Sequence, residues 1–159
     1  MLLLSFNLGL EQYAISAKQI IEILPLTSLK SIPKAPVYVA GLLDFRGLPV
    51  PVIDLCQLTN DQDYNKVLSS RIVLVNYMDK NFKNHTLGLI AEKVTEMLEI
   101  PKEAFSSSGI SLKEMSYLGS VTNNEGKMIQ YIEINELLTE EVQSMLFSDV
   151  SENKQAGRQ

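Results

Sequence analysis

The 159-residue chain has a single cysteine, a single histidine and no tryptophan. Because Cys56 has no second thiol to pair with, an internal disulfide is excluded, and one free thiol is typical of a reducing compartment. A metal or catalytic site built on His85 would need further ligands nearby, which the surrounding KNHTLG does not supply. No phosphate-cradling glycine motif occurs either. The sequence therefore predicts no cofactor, no metal site and no catalytic residue.

The sequence also lacks long apolar runs and basic stripes. No run reaches the roughly 18 apolar residues that a membrane-spanning helix needs, and residues 1–12 lack the basic start of a secretory signal. No stripe of lysine and arginine is present to neutralise phosphates, which argues against nucleic acid as a partner. The formal net charge of -5 arises in residues 81–159, which carry seven basic and twelve acidic side chains. These features predict a soluble, cytoplasmic protein without direct membrane insertion.

What the chain does have is apolar residues, 45% of the total, arranged in short strand-like segments. Segments 2–8 and 12–16 flank a glycine-containing connection of hairpin length. Residues 17–25 fit a helical turn that runs into a strand, because the proline at the end disfavours a continuing helix. Residues 71–77 and 85–100 predict a second series of strands.

An internal repeat relates these segments to one another. KQIIEIL at 18–24 resembles EKVTEML at 92–98, about 74 positions later, and each follows two predicted strands and a turn. Such a repeat predicts two similar β-subdomains related by approximate symmetry. Residues 127–134 predict one more strand, and residues 134–147 show helical spacing with acidic residues in the early turns. The predicted fold class is all-β with a minor helix.

The stretch GLLDFRGLPVPVIDL, residues 41–55, combines charges and prolines with apolar residues. It predicts two strands on either side of a tight turn at Arg46 and Gly47, where glycine can adopt a positive φ. Pro49 and Pro51 both lack a backbone donor on the same side of the second strand. One edge of that strand is therefore predicted to make no ladder hydrogen bonds there.

Three carboxylates, Glu22, Asp44 and Asp54, leave open a remote alternative in which the chain is a small hydrolase. For Asp54, directly before LCQL, capping of a helix N-terminus is the better interpretation. Asp44 has no assigned role at this stage. A further alternative, a β-barrel that binds a small ligand, would require an internal pocket that a sequence does not reveal.

Residues 41–55 resemble the signature of the CheW family: a glycine, four residues, Arg-Gly, three residues, then Pro-Val-x-Asp-Leu. Flanking motifs agree in order, from FNLGLEQYAIS to GKMIQYIEINELL. The resemblance implies two five-stranded β-barrel subdomains within residues 1–147, and the polar composition of residues 148–159 predicts a flexible tail. It also implies a non-enzymatic adaptor that couples the signalling tip of methyl-accepting chemotaxis receptors to the regulatory domain of a CheA-type histidine kinase. Such adaptors work in cytoplasmic arrays at the inner membrane.

The resemblance further implies individual roles. The receptor-facing groove between the subdomains is expected to contain four residues: Ile20, Glu22, Arg46 and Ile72. Structural roles are expected for three residues of the signature: Gly47, Pro51 and Asp54. Glu22 and Arg46 are expected to pair in a partly buried site, where loss of one partner costs on the order of 3 kcal/mol or more. Arg46→Ala is therefore expected to weaken receptor coupling more than folding.

Three segments depart from the family pattern. The connection at 78–84 is longer than the usual tight turn, Ala91-Glu92 replaces a common Val-Asp, and FSSSGIS at 105–111 replaces a proline-spaced motif. All three lie in the second predicted subdomain. They leave open a CheW-like coupler of a dedicated pathway, serving surface sensing, type IV pilus motility or cyclic-di-GMP control instead of flagellar chemotaxis.

Overall fold

The computed structural model describes residues 1–60, 70–109 and 115–147, apart from the side chains of Asn60 and Thr95. These described residues contain nine strands: β1 (Leu2–Leu8), β2 (Glu11–Ser16), β3 (Ile20–Pro25), β4 (Val39–Phe45), β5 (Leu48–Asp54), β6 (Arg71–Met78), β7 (Asn84–Glu99), β8 (Leu118–Asn124) and β9 (Lys127–Ile132). Two short α-helices accompany them: α1 (Leu55–Asn60) and α2 (Glu140–Leu146). The predicted all-β fold with minor helix is confirmed, and the tail predicted at 148–159 lies outside the described residues.

Strand β7 is long enough to join two groups of strands. Its first half pairs antiparallel with β6 along residues 84–91 and parallel with β5 at residues 88–90. Its second half pairs antiparallel with β1 between residues 92 and 99. Lys93, with φ 48°, lies close to the change from one group to the other. A single strand therefore connects two β-units through continuous backbone.

The two units have equivalent strand orders. The signature unit contains β3, β6, the first half of β7, β5 and β4, and the terminal unit contains the second half of β7, β1, β2, β9 and β8. The repeated segments occupy equivalent places, because β3 pairs antiparallel with β6 just as the second half of β7 pairs with β1. The twofold repeat predicted from residues 18–24 and 92–98 is confirmed.

The expected closed barrels require a correction. Among the described strands, β3 and β4 are the end strands of the signature unit, and no ladder pairs them with each other. In the terminal unit the end strands are the second half of β7 and β8, which are likewise not paired within the described residues. Side chains bridge the first gap, since Leu24 from β3 and Phe45 from β4 pack on the same apolar cluster. No continuous ladder therefore closes either unit among the described residues. Single antiparallel bridges, Lys30 with Leu42 and Ser106 with Val121, tie the segments that follow β3 and β7 to β4 and β8.

Buried apolar side chains form three clusters. One fills the signature unit and includes Leu43, Val50 and Ile72, and a smaller one in the terminal unit includes Leu3 and Ile129. The largest draws residues from both units and both helices, among them Phe6, Tyr77, Leu89 and Val142. Removal of this much apolar surface from water is the main force that holds the units together.

Two predictions about the signature are confirmed. The pairing of β5 with β7 begins only at Val52, so among the described residues the strand edge that faces away from β4 is unpaired at Pro49 and Pro51. Asp54 caps α1, because its Oδ1 accepts hydrogen bonds from the backbone amides of Cys56 at 3.0 Å and Gln57 at 3.3 Å. The two prolines fit an unpaired strand edge because they have no backbone N–H to donate, and Asp54 fits the start of a helix because its carboxylate accepts the free amides there.

The C-terminal helix is shorter than predicted. The helical pattern at 134–147 divides into a 3₁₀ turn at Ile134–Glu136 and α2. Thr139 is the reason, since its side chain accepts a hydrogen bond from the amide of Val142 and begins a new helix.

Candidate partner-binding site

The turn between β4 and β5 has an unusual backbone. Arg46 and Gly47 both have positive φ, 52° and 85°, as a two-residue type I′ hairpin requires. Glycine adopts this conformation freely, whereas an arginine there is strained. Asp44 offsets part of that strain, because its Oδ1 accepts a hydrogen bond from the Gly47 amide at 2.8 Å. The turn therefore presents the arginine side chain in a defined direction at the tip of the hairpin.

Two contacts hold the Arg46 guanidinium. Its Nη2 lies 3.1 Å from Oε1 of Glu22 on β3, and its Cζ lies 4.8 Å from the centroid of the Phe45 ring. The ion pair joins β3 to β4, the two end strands of the signature unit. Within the described residues no backbone ladder pairs these two strands. Glu22 and Arg46, which the sequence predicts as partners, are thus brought together at the surface.

The expected strength of this pair requires a correction. The side chain of Arg46 is 74% exposed and that of Glu22 is 36% exposed, so water screens both charges. An exposed ion pair contributes about 0.2–1 kcal/mol, well below the value expected for a partly buried one. The pair orients the arginine more than it stabilises the fold.

The two isoleucines expected in the same groove lie in different environments. Ile20 is partly buried against the largest apolar cluster, whereas Ile72 has 0% exposure inside the cluster of the signature unit. A partner cannot touch Ile72 in this arrangement, so its expected contact role becomes one of support from within. Ile21 and Ile23, each 42% exposed, are more exposed than Ile20 and lie on the face of β3 opposite Glu22.

The carboxylates of the hydrolase alternative have separate structural contacts. Glu22 pairs with Arg46, Asp44 caps the turn, and Asp54 is a buried helix cap. Within the described ranges, no group of three metal-ligating side chains is found. In the same ranges, no helix combines the length and apolarity needed to cross a membrane. Nothing in this geometry assembles the three carboxylates for hydrolysis.

Cys56 and Glu92 meet in the interior. The thiol donates to Oε1 of Glu92 at 3.0 Å, and the same oxygen accepts from the Gly9 amide at 3.1 Å. Burial and the nearby carboxylate raise the pKa of Cys56 to about 12, so the thiol stays protonated. The departure at Ala91-Glu92 thus supplies a buried acceptor that links α1 to the first hairpin.

The long connection between β6 and β7 packs against α2. Asp79 accepts hydrogen bonds from the amides of Asn81 and Lys83, and its Oδ2 lies 2.7 Å from Nε2 of His85. The His85 ring stacks on Phe147 with centroids 4.1 Å apart. The hydrogen bond from His85, together with those from the backbone, lowers the pKa of Asp79. His85 thus has a structural role that its sequence neighbours do not reveal.

Comparison with known proteins gives consistent matches. The family model described as the CheW-like domain matches residues 2–142. The chain is 23% identical over 138 residues to the chemotaxis protein CheW of Bacillus subtilis (strain 168), covering 86% of this chain and 85% of that protein. It is 26% identical over 152 residues to the chemotaxis protein CheW of Klebsiella aerogenes, with coverages of 90% and 84%.

A solved structure shares the fold. The scaffolding protein TtCheW from Thermoanaerobacter tengcongensis superimposes with a TM-score of 0.75 at 24% sequence identity, covering 87% of each chain. The likeness extends over both β-units and is therefore one of whole architecture.

Proposed function

The chain belongs to the CheW-like domain family, and from that premise we propose that it couples methyl-accepting chemotaxis receptors to a CheA-type histidine kinase. It is a CheW-like scaffold protein of chemotaxis and not an enzyme. The proposed location is the cytoplasmic array of receptors at the inner membrane. Residues 1–147 act as one CheW-like domain in this proposal.

The observation that carries the receptor half of the proposal is the ordered arginine at the tip of the signature hairpin. Arg46 is mostly exposed yet is held by Glu22 and by the Phe45 ring. An arginine held in this way loses less conformational entropy on binding than a free one. The proposed contact surface consists of Ile20, Glu22 and Arg46, and Ile72 supports the signature unit from within its apolar cluster. A helical hairpin at the receptor tip would lie along this surface, in the helix-in-groove mode.

The proposed kinase contact lies on the terminal unit. The regulatory domain of a CheA-type kinase is related to this fold family and offers β-units of similar shape. In the proposed contact, one of those units packs against the terminal unit of this chain. Two units with equivalent strand orders also give the chain two similar but separate surfaces. A coupling protein needs such separation, because it holds two partners at once.

A second candidate is a CheW-like coupler of a dedicated, non-flagellar pathway. The observation in its favour is the connection at residues 79–83, which is built around Asp79 and fixed to α2 through an ion pair of Lys80 with Glu140 at 3.0 Å. An ordered extra segment changes the outline of the signature unit where it meets α2. Co-purification separates the candidates, since the receptor and kinase recovered identify the pathway.

The experiment that tests the proposal is a binding titration with two partners. The probes are a soluble fragment carrying a receptor signalling tip and the regulatory domain of a CheA-type kinase, both from the same organism as the chain. Wild-type protein is expected to bind both, and Arg46→Ala is expected to lose affinity for the receptor fragment alone. Glu125→Ala, an exposed charge at the equivalent turn of the terminal unit, is the matched control for the receptor arm. Equal receptor binding by wild type and Arg46→Ala would overturn the proposed receptor surface.

A further inference from the structure

Asp44 is an exposed carboxylate that lies two residues before the proposed recognition arginine. We propose that Asp44 is a positioning residue, which fixes the backbone of the Arg46–Gly47 turn and so aims the arginine at its partner. The inference rests on the proposed function, because it concerns the same contact surface.

The backbone of the turn provides the first argument. Arg46 has a φ of 52°, a conformation that L-residues other than asparagine and aspartate adopt reluctantly. Without a compensating contact, a hairpin tip with arginine at this position would exchange with other turn conformations. The 2.8 Å hydrogen bond from the Gly47 amide to Asp44 Oδ1 spans the turn and supplies such a contact.

The side-chain contacts depend on that backbone. With the turn in this conformation, the guanidinium lies 3.1 Å from Glu22 and 4.8 Å from the centroid of the Phe45 ring. The guanidinium is mostly exposed in both contacts, so neither is strong enough alone to hold the turn. In the described part of the chain the ion-pair partner of Arg46 is Glu22, and Asp44 bonds to the backbone instead. Asp44 therefore acts through hydrogen bonding to the backbone and not through its charge.

The terminal unit contains an equivalent turn that carries no arginine. Glu125 and Gly126 have φ of 52° and 80°, and the Gly126 amide donates to Oδ1 of Asn123 at 3.1 Å. Asn123 thus occupies the place of Asp44 in an equivalent turn. The acceptor in that turn is an amide oxygen and not a carboxylate oxygen. This type of turn therefore requires a hydrogen-bond acceptor and not a negative charge.

This equivalence defines the test. Affinity for the receptor-tip fragment is measured by isothermal titration calorimetry for wild type, Asp44→Ala, Asp44→Asn, Arg46→Ala and the double variant Asp44→Ala/Arg46→Ala. Asp44→Ala is expected to weaken binding about two- to tenfold, the range of one net hydrogen bond. Asp44→Asn is expected to stay within about twofold of wild type, because it keeps the acceptor. In the double variant, loss of Asp44 is expected to add nothing to the loss of Arg46.

Asn123→Ala is the matched control, since it opens the equivalent turn away from the proposed surface and is expected to leave receptor affinity unchanged. Normal affinity of Asp44→Ala, with Arg46→Ala impaired, overturns the positioning role. So does a loss in Asp44→Asn equal to that in Asp44→Ala, because the effect would then come from charge.

A second readout separates this inference from the proposed function. NMR relaxation of the Arg46 Nε–H group in the free protein is expected to report greater mobility in Asp44→Ala and unchanged mobility in Asp44→Asn. If Arg46→Ala binds the receptor fragment normally, the proposed receptor surface fails, while the relaxation result still decides whether Asp44 orders Arg46. Equal Arg46 mobility in wild type and Asp44→Ala overturns the inference whatever the binding result.

Discussion

Replacing Arg46 with alanine separates recognition from stability. The substitution removes an exposed ion pair, which contributes about 0.2–1 kcal/mol, and a cation–π contact at an exposed site, which contributes about 0.5–1 kcal/mol. The side chain is 74% exposed, so little apolar surface is lost with it. The expected cost to folding is about 1 kcal/mol, a decrease in Tm of about 2–4 °C for a chain of this size.

Ile72→Ala gives the opposite profile. Ile72 is 0% exposed and packs among Leu43, Val50 and Leu74, so the substitution leaves a cavity in the signature unit. Large-to-small changes of this kind cost about 2–5 kcal/mol, which lowers Tm by roughly 10 °C. Receptor affinity is expected to change less than in Arg46→Ala, because the side chain has no surface with which to touch a partner.

The assay pairs thermal unfolding with binding to the receptor-tip fragment, at a temperature where each variant is fully folded. Arg46→Ala is expected to lose about tenfold or more in affinity, as an arginine anchor at an interface does. The reasoning is refuted if Ile72→Ala weakens binding more than Arg46→Ala, or if Arg46→Ala destabilises the fold by 3 kcal/mol or more, the scale of a buried pair.

Three further predictions concern the interior and the C-terminal helix. Cys56 is 2% exposed and has a pKa raised to about 12, so a thiol reagent should label it only as fast as the protein opens; complete labelling within minutes without denaturant would contradict this. The pKa of Asp79 is lowered from 3.8, so its contribution to stability is present above that value and lost as pH falls through the folded-state pKa. The Tm difference between wild type and Asp79→Ala should therefore shrink from pH 6 towards about pH 2, and a constant difference would refute the role of the carboxylate. A Cβ on Gly88 would lie 2.9 Å from Val52 Cγ2, so Gly88→Ala should lower the free energy of unfolding in urea by about 1–3 kcal/mol. The double variant with Val52→Ala should lose less stability than the sum of the two single variants. Additive losses would show that this contact is not the cause.

Local chemistry made parts of the fold predictable. The turn at Gly47, the cap at Asp54 and the free strand edge at Pro49 and Pro51 follow from backbone conformations and missing donors that each residue type imposes. The twofold repeat was predictable for a different reason. In two units of equivalent topology, the segments that follow the hairpins need similar patterns of apolar residues.

Features that depend on distant contacts were not predictable. Ile72 lies in RIVLVNY, an apolar run without alternation, and such a run does not say which side chains reach the surface. The contact of His85 with Phe147 spans 62 positions, and no local pattern marks it. The open ladders depend on how β3 and β4 approach in space. Asp44 is the exception, because its contact with the Gly47 amide spans only three residues and was still left unassigned.

The central claim is that the chain transmits receptor state to a kinase. The most direct measurement is autophosphorylation of a CheA-type kinase, reconstituted with receptor in membranes from the same organism, with the chain omitted, supplied as wild type or supplied as Arg46→Ala. The account predicts that phosphorylation responds to receptor ligand when the wild-type chain is present, and does not respond when the chain is omitted or supplied as Arg46→Ala. A response to ligand that is the same with and without the chain would contradict the account.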